Sequence, residues 1–454
     1  MTRRSPVAPD APPVSTVFKG TFLSPREGTI VGEIDVFAPG WMTVDAQGRI
    51  VSLERECPKN PRSVVDFGDA LVVPGFVDTH AHLPQYAFSG LGDLPLLPWL
   101  ETYTFPHESK FSDEGVARAR SRHFFASCLA AGTTTVMAYG TSHEDALHVA
   151  FEEARALGIR AGLGLVLMDQ NAPAALIAEG WKSLDASERL AACWDRAGDG
   201  RLRFVVTPRF AVSCSRRLME GAADLAQRRG LFIQTHLSEN KDEIALVRQM
   251  FPDAKSYADV YDSCGLLGPW TLLGHCVHLS AEERALLKER RSIVTHCASS
   301  NTFLASGLMP LARYLDEGQR VSLGTDVAGG TSLSMIAEMK AAGDAARLRK
   351  ALFGEEPVKA GALLALATLE GARAVGLEKH VGNFEVGKAA DFVVVDDVLT
   401  HPLYPGLGRN WKDLAAHGGV GTEPLERLSR LIARPHSEVV RETWIEGAKV
   451  FARV

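Results

Sequence analysis

The segment LVVPGFVDTHAH at residues 71–82 decides the fold prediction. An apolar, β-branched run ends in two histidines, His80 and His82, that are separated by one residue. Side chains alternate between the two faces of a strand, so these histidines project from the same face and can bind one metal ion. By itself such a pair is a weak signal. It becomes strong because His236 and Asp326 end two later apolar runs of the same kind.

Seven further apolar runs follow, and most are separated by helical stretches rich in Ala, Leu, Glu and Arg. They occupy residues 132–140, 158–168, 202–210, 230–239, 270–279, 291–300 and 320–330. This alternation is typical of parallel βα units in α/β proteins. Eight such strands predict a (β/α)8 TIM barrel with insertions. An open, doubly wound sheet stays an alternative, because strand order cannot be read from one sequence.

Polar residues lie at the carboxyl ends of the predicted strands, and a TIM barrel carries its active site at that end. They are His80, His82, Arg209, His236, His275, His296 and Asp326. Histidines scattered at random would not follow the strand ends in this way. The pattern therefore predicts one site at the barrel mouth.

Residues 71–384 form the predicted barrel, and the segments on either side of it have a different sequence pattern. Residues 16–70 and 385–454 contain short runs in which apolar and polar residues alternate, broken by Gly, Pro and Asp. These runs predict a small β-sandwich formed by the N- and C-terminal segments. Two independent appendages are the alternative. Residues 1–15 are rich in Pro and Ala, lack the apolar core of a secretory signal, and predict a disordered lead-in.

Composition excludes several classes of protein. Apolar residues make up 46% and charged residues 23% of the chain, and the net charge is only -6, as in an ordinary soluble domain. Nucleic-acid binding needs clustered Lys and Arg, and membrane spans need long apolar runs; neither is present. The seven cysteines form no CxxC pair, which argues against a disulfide framework and a thiolate zinc site. We expect a cytoplasmic protein with no nucleic-acid or membrane partner.

The strand-end residues suggest metal-assisted hydrolysis. Imidazole and carboxylate ligands suit zinc, and a bound divalent ion lowers the pKa of water from 15.7 to about 7. His236 alone could be a hydrogen-bonded core histidine, and Asp326 could cap a helix. Together with the first-strand pair, both are predicted to be metal ligands.

Three residues are candidates for the catalytic chemistry. Glu239 lies three residues past His236 and is the natural proton shuttle, although first-turn helix polarity is an alternative role. His275 is placed to stabilise the developing hydroxide or to orient Asp326, which itself can serve as a base for the water. The roles of His278 and His296 stay open between structure and pocket.

These motifs resemble those of a known superfamily. PGFVDTHAH, HLSE and LGTD resemble the metal motifs of the amidohydrolase superfamily, and HAHLPQYAFSGLGDLPLLPWLETYTFPHESKF at 80–111 resembles the guanine deaminase family. The resemblance implies hydrolysis of guanine to xanthine and ammonia in purine catabolism by a homodimer. It places one Zn²⁺ on His80, His82, His236 and Asp326, the proton shuttle on Glu239, and an auxiliary histidine on His275. TPRF at 207–210 carries no bridging lysine, which favours a single ion.

The resemblance also implies which residues contact the purine substrate. They are His82, Leu83, Pro84, Gln85, Arg209, Phe210, His236, Glu239 and Asp326. Gln85 and Arg209 can hydrogen-bond the O6 and N1 edge of a 6-oxopurine, and Trp99 and Phe105 could form a lid or simply pack.

Departures from the family pattern leave the preferred ring open. They are CASSN at 297–301, GHCVHL at 274–279, and His107. One alternative is deamination of a related ring such as 8-oxoguanine, a pterin or a triazine. Another is a non-catalytic assembly protein that keeps a metal site.

Overall fold

The computed structural model describes residues 15–28, 31–59, 61, 63–404, 411–416 and 421–453. Residues 1–14 of the predicted disordered lead-in lie outside these ranges. The strands are β1 (Thr16–Pro25), β2 (Ile34–Val44), β3 (Ile50–Glu54), β4 (Val64–Pro74), β5 (Phe76–His82), β6 (Thr133–Tyr139), β7 (Arg160–Gly164), β8 (Val166–Leu167), β9 (Leu202–Pro208), β10 (Phe232–Leu237), β11 (Thr271–His275), β12 (Ile293–His296), β13 (Arg320–Leu323), β14 (Phe392–Val395), β15 (Val440–Ile445) and β16 (Ala448–Ala452).

The helices follow most strands of the central sheet, except that the last two lie between β14 and β15 of the outer sheet. They are α1 (Leu96–Trp99), α2 (Phe105–Glu108), α3 (Glu114–Ala130), α4 (Glu144–Leu157), α5 (Gly180–Trp194), α6 (Arg216–Arg229), α7 (Lys241–Met250), α8 (Tyr257–Ser263), α9 (Ala281–Arg290), α10 (Ala298–Phe303), α11 (Leu311–Asp316), α12 (Met335–Phe353), α13 (Ala360–Leu366), α14 (Leu369–Ala374), α15 (Trp411–Ala416) and α16 (Pro424–Ala433). Tight 3₁₀ turns occupy Leu83–Phe88, Ser109–Ser112 and Asp397–Thr400, and a π turn occupies Leu100–Thr104. We call the continuous helical stretch at residues 96–112 the cover segment.

The central sheet is the predicted eight-stranded parallel barrel. Its strands follow one another in the order β5, β6, β7, β9, β10, β11, β12 and β13, and the two-residue β8 extends β7 alongside β9. Three hydrogen bonds bring the last strand beside the first: Thr79 Oγ1 donates to Leu323 O (2.9 Å), Asp326 N to His80 O (2.7 Å) and His82 N to Val327 O (3.0 Å). The sheet therefore closes, and the open doubly wound alternative is wrong.

All eight predicted strand ranges differ from the strands of the structure at one end or both, and two of the differences change how a segment is assigned. The run at 71–82 is two strands, because β4 ends at Pro74 in the outer sheet and β5 begins at Phe76 in the barrel. Gly75 permits the crossing, since a Cβ at this position would collide with Thr134. The run at 291–300 is too long, because α10 begins at Ala298. Polar residues there start a helix instead of extending β12.

The N- and C-terminal segments form one β unit, as predicted. Seven strands pair in the order β16, β15, β14, β4, β1, β2 and β3, with β14 antiparallel to β4. The β3 edge curls back onto the segment before β14, where Ile50 N donates to Lys388 O at 2.9 Å. The curl encloses a separate aromatic core that includes Phe18, Phe392 and Trp444, with the Phe18 and Phe392 ring centroids 5.1 Å apart. Two independent appendages are thereby ruled out.

The barrel strands are almost entirely buried, which explains why they read as continuous apolar runs. Helices cover the outer face, and the carboxyl ends of the strands open onto the cover segment. Within the ranges that the structure describes, no helix combines the length and the apolar character that crossing a membrane requires.

Candidate active site

Four side chains from three regions of the barrel converge on one point. His80 and His82 come from the end of β5, His236 from β10, and Asp326 from the loop after β13. Asp326 Oδ1 lies 3.2 Å from His80 Nε2 and 3.1 Å from His82 Nε2. Each residue offers a ligand atom, and these atoms all lie within 4.8 Å of one another. All four predicted metal ligands are thus brought together, and all four are buried.

The chemistry of this donor set fits a divalent cation. His236 Nδ1 lies 2.6 Å from the carbonyl oxygen of Arg209, which can only accept, so Nδ1 carries the proton and Nε2 keeps its lone pair. That Nε2 faces His82 Nε2 at 3.1 Å. His80 Nε2 is buried and has no hydrogen-bond partner among the described residues. A cation between these atoms would bind the lone pairs of all three Nε2 atoms at once, including that of His80, which has no other hydrogen-bond partner in the described ranges.

The charge states also suit metal binding. Burial lowers the pKa of His82 to about 4 and lowers that of His236 well below its ordinary value, so both imidazoles are neutral. Burial opposes ionisation of Asp326, but the surrounding imidazoles of His275, His80 and His82 hold its pKa well below the usual range. Neutral imidazoles and an ionised carboxylate are the forms that bind metals.

Unusual backbone conformations occur at the strand ends that carry the site. Ser238, His275 and Asp326 have φ values of 50°, 70° and 47°, a region that non-glycine residues rarely adopt. Asp78 supports the last of these turns, because it accepts hydrogen bonds from Thr325 N at 3.0 Å and Thr325 Oγ1 at 2.5 Å. Strained residues of this kind cluster where a fold positions functional groups.

Glu239 and His275 lie beside the four ligands. His275 Nε2 is 3.5 Å from Glu239 Oε2 and 3.6 Å from Asp326 Oδ2. Ser306 Oγ donates to Glu239 Oε1 at 3.1 Å, and His275 Nδ1 lies 2.9 Å from Asn301 Oδ1. Burial, together with the negative charge of Asp326, raises the pKa of Glu239 to about 8. A carboxyl group that titrates near neutral pH can both accept and release a proton at small cost.

A cavity of about 370 Å³, its mouth included, opens onto these groups. It is lined by His82, Gln85, Leu96, Trp99, Leu100, Arg209, Phe210, His236, Glu239, His275, Leu304, Asp326 and Gly329. Seven of the nine residues predicted to contact substrate are in this set. The other two, Leu83 and Pro84, are buried in the 3₁₀ turn at Leu83–Phe88 and are not among the residues that line the cavity.

The remaining sequence candidates are placed as follows. Trp99 lines the cavity, and its Nε1 donates to Leu91 O at 2.9 Å. His278 Nε2 donates to Ser306 O at 2.7 Å, which is a structural contact. His296 is buried outside the cavity lining, and burial lowers its pKa to about 3. His107 Nδ1 lies 2.7 Å from Tyr103 O within the cover segment.

Sequence reasoning missed three residues that hold the site in place. Asn301 pairs with His275, Ser306 with Glu239, and Glu108 with both Gln85 and Arg209. Asn301 ends the CASSN segment at 297–301 that the sequence comparison with the family had already singled out, so a signal existed. Ser306 and Glu108 carry no local sequence pattern that distinguishes them from surface residues.

The comparisons with known proteins agree with this geometry. The chain matches the amidohydrolase family over residues 71–450. It is 38% identical to guanine deaminase of Escherichia coli (strain K12), over 86% of this chain and 85% of the relative. Its fold matches a crystal structure of guanine deaminase from C. acetobutylicum with bound guanine in the active site, with a TM-score of 0.87, 31% identity, and coverage of 96% of this chain and 100% of that one. It also matches an adenosine deaminase from Xanthomonas campestris with bound zinc, with a TM-score of 0.79, 25% identity, and coverage of 96% and 93%.

Proposed function

The chain belongs to the amidohydrolase family, as a member of its guanine deaminases, and on that premise we propose that it hydrolyses guanine to xanthine and ammonia with one Zn²⁺ per chain. The observation that carries the proposal is the cluster of His80, His82, His236 and Asp326, which faces Glu239 across a cavity with Gln85 and Arg209 in its wall. The cluster supports hydrolysis, and the wall supports a 6-oxopurine as the substrate.

Three imidazoles and one carboxylate form a ligand set that suits zinc. When bound there, the ion supplies Lewis acidity, which lets water act as a nucleophile near neutral pH. His236 is oriented for this role by the hydrogen bond between its Nδ1 and Arg209 O. Partners of this kind fix the ring and its tautomer.

Glu239, His275 and Asp326 are the proposed catalytic residues. Glu239 takes a proton from the attacking water and delivers it to the ring nitrogen next to C2. A C–O bond forms at C2, Glu239 then carries the proton of the new hydroxyl to the amino group, and ammonia leaves as the C–N bond breaks and the C2 carbonyl forms. His275, whose Nε2 lies 3.5 Å from Glu239 and 3.6 Å from Asp326, stabilises the developing hydroxide or orients Asp326.

The proposed substrate contacts are the nine residues of the sequence prediction: His82, Leu83, Pro84, Gln85, Arg209, Phe210, His236, Glu239 and Asp326. Gln85 and Arg209 read the O6 and N1 edge of the ring by hydrogen bonds. A site built to satisfy such groups discriminates strongly against rings that lack them. Leu83 and Pro84 would act through their backbone or by supporting the turn that carries Gln85.

We also propose, from the same resemblance, that the protein is a cytoplasmic homodimer in guanine degradation. Its proposed domains are a TIM barrel at 71–384, whose first four residues pair in the outer sheet as the end of β4, and a β-sandwich formed by 16–70 and 385–454. Analytical ultracentrifugation of the purified chain tests the dimer, because a monomeric mass across micromolar concentrations contradicts it.

Ammonia release from a panel of rings tests the proposed activity. Purified, metal-replete protein is assayed with guanine, 8-oxoguanine, a pterin and an amino-triazine, and its zinc content is measured in parallel. We expect about one equivalent of zinc and the highest kcat/KM on guanine. A higher kcat/KM on another ring would reassign the substrate. Bound zinc without ammonia from any ring would favour the non-catalytic alternative.

A further inference from the structure

Glu108 lies behind the two cavity residues that face the proposed purine edge. It ends α2 in the cover segment and is only 6% exposed. Its Oε1 accepts a hydrogen bond from Gln85 Nε2 at 2.9 Å, and its Oε2 accepts one from Arg209 Nη1 at 2.6 Å. One buried carboxylate therefore connects both side chains, although Glu108 itself is not among the residues that line the cavity.

This contact determines which end of the Gln85 amide faces the cavity. An amide offers two donors at Nε2 and an acceptor at Oε1, whereas a carboxylate paired with a guanidinium only accepts. Glu108 therefore holds the Nε2 end toward itself and leaves Oε1 on the other side. Oε1 accepts no hydrogen bond from any residue in the described ranges. Gln85 lines the cavity, so it presents an acceptor there.

The same contact aligns Arg209 as a donor. Its Nη1 is engaged by Glu108, and its guanidinium carbon stands 5.4 Å from the centroid of the Phe105 ring, which fixes the plane of the group. Across the described chain, Nε and Nη2 of Arg209 have no acceptor. Because the Glu108–Arg209 pair carries no net charge, the wall offers donors to a neutral ring without adding a buried charge.

We propose that Glu108 is a positioning residue that sets the hydrogen-bond polarity of the cavity, with Gln85 as acceptor and Arg209 as donor, and thereby selects rings with an N–H next to a carbonyl. The inference rests on the proposed function and specifies how the cavity discriminates between substrate rings. In a 6-oxopurine, N1–H donates to Gln85 Oε1 and O6 accepts from Arg209. In 2-aminopurine, N1 has a lone pair that faces Gln85 Oε1 and no carbonyl meets Arg209, so two buried polar groups stay unpaired.

Glu108→Gln tests the role, because an amide at position 108 can donate or accept and no longer dictates how Gln85 turns. We expect the ratio of kcat/KM for guanine to that for 2-aminopurine to fall about 100-fold, mainly through a higher KM for guanine. Glu101→Gln is the matched control: the same substitution at an exposed position of the same cover segment, expected to leave the ratio within about 3-fold of wild type.

The exchange variant Gln85→Glu/Glu108→Gln provides a rescue. It restores a residue at 85 that can only accept, it lets the amide at 108 donate to it and accept from Arg209, and it keeps the charge balance. We expect its selectivity ratio to be at least about 10-fold higher than that of Glu108→Gln. A purely structural role for Glu108 would not produce this recovery. For any variant with slow turnover, the inhibition constants of hypoxanthine and purine are compared instead. Hypoxanthine has the N1–H and the C6 carbonyl, and purine has neither.

The outcomes separate the inference from the function on which it rests. Wild-type protein that releases no ammonia from guanine refutes the proposed function. If the wild-type protein is active and the selectivity ratio of Glu108→Gln stays within about 3-fold of the wild-type ratio, the role of Glu108 is refuted and the proposed function is not. An exchange variant no better than Glu108→Gln refutes it as well, provided that zinc content and thermal unfolding show both variants to be folded.

Discussion

Glu239→Gln is the substitution that most directly tests the assignment of proton transfer. Glutamine has nearly the same volume as glutamate and retains an oxygen that can accept from Ser306 Oγ, now 3.1 Å from Glu239 Oε1. It lacks the acid–base equilibrium of the carboxyl group. The substitution should therefore leave the shape of the cavity and the four metal ligands unchanged while removing the shuttle.

The expected loss of rate follows from the pKa of Glu239 and from the groups that surround it. Its pKa of about 8 places it where a general acid–base catalyst is effective, and such catalysis contributes about 10²–10⁴-fold to a rate. Among the described residues, only Glu239 and Asp326 have a carboxylate this close to His275. Asp326 is one of the proposed metal ligands, so it cannot readily replace Glu239 as the proton shuttle. We expect kcat for guanine to fall about 10³-fold, with KM changed less than about 3-fold.

The assay is steady-state ammonia release from guanine, with zinc measured on the same preparation. The control is Glu220→Gln, an identical substitution at an exposed position of α6, which should retain wild-type kcat. A kcat within about 10-fold of wild type would refute the shuttle. Loss of zinc together with activity would also refute it, because Glu239 would then be needed to hold the ion.

Four further predictions concern the shell around the site. Asn301→Leu removes the acceptor 2.9 Å from His275 Nδ1, so kcat/KM should fall about 10–100-fold while zinc is retained; unchanged kinetics would exclude a role in orienting His275. Arg209→Ala should reduce kcat/KM more for guanine than for 2-aminopurine, and equal losses in parallel kinetics would contradict its contact with O6. Chelation should lower the melting temperature by about 5 °C or more, measured by calorimetry and reversed by zinc, because the ion binds only the folded ligand cluster. Burial raises the pKa of Glu338 from 4.5 to about 8, so the folded protein holds a proton that the unfolded chain releases. Stability should fall as pH rises between these two pKa values, and Glu338→Gln should flatten the fall between about pH 4.5 and about pH 8, whereas the exposed Glu356→Gln should not.

The barrel and the clustering of His80, His82, His236 and Asp326 were predictable because both depend on local patterns. Each barrel strand is a short apolar run, and a polar residue marks where the run reaches the barrel mouth. The geometry of parallel strands then brings His82, His236 and Asp326 together, although up to 244 positions separate them in the sequence. The division of the run at 71–82 was not predictable, since buried strands of both sheets have the same apolar composition.

The residues that support the cavity wall could not be predicted, and the cover segment shows why. Glu101 and Glu108 are seven positions apart, a spacing that places two residues on the same face of a regular α-helix. Glu101 is exposed and Glu108 is buried, because the π turn at Leu100–Thr104 lies between α1 and α2 and shifts the helical phase. Helical periodicity does not hold across such a turn, so no sequence pattern separates these two glutamates.

Catalysis and most of the selectivity therefore reside in different parts of the chain, with Arg209, directly after β9, as the exception. The proposed metal ligands and Glu239 are fixed by strand ends whose positions the closed barrel dictates, and a fold of this kind can serve more than one reaction. Gln85 and Glu108 are carried by turns outside the barrel, at Leu83–Phe88 and in the cover segment. Since loops change more freely than barrel strands, a change of substrate in this fold should first alter the residues that set hydrogen-bond polarity, and leave the metal cluster as it is.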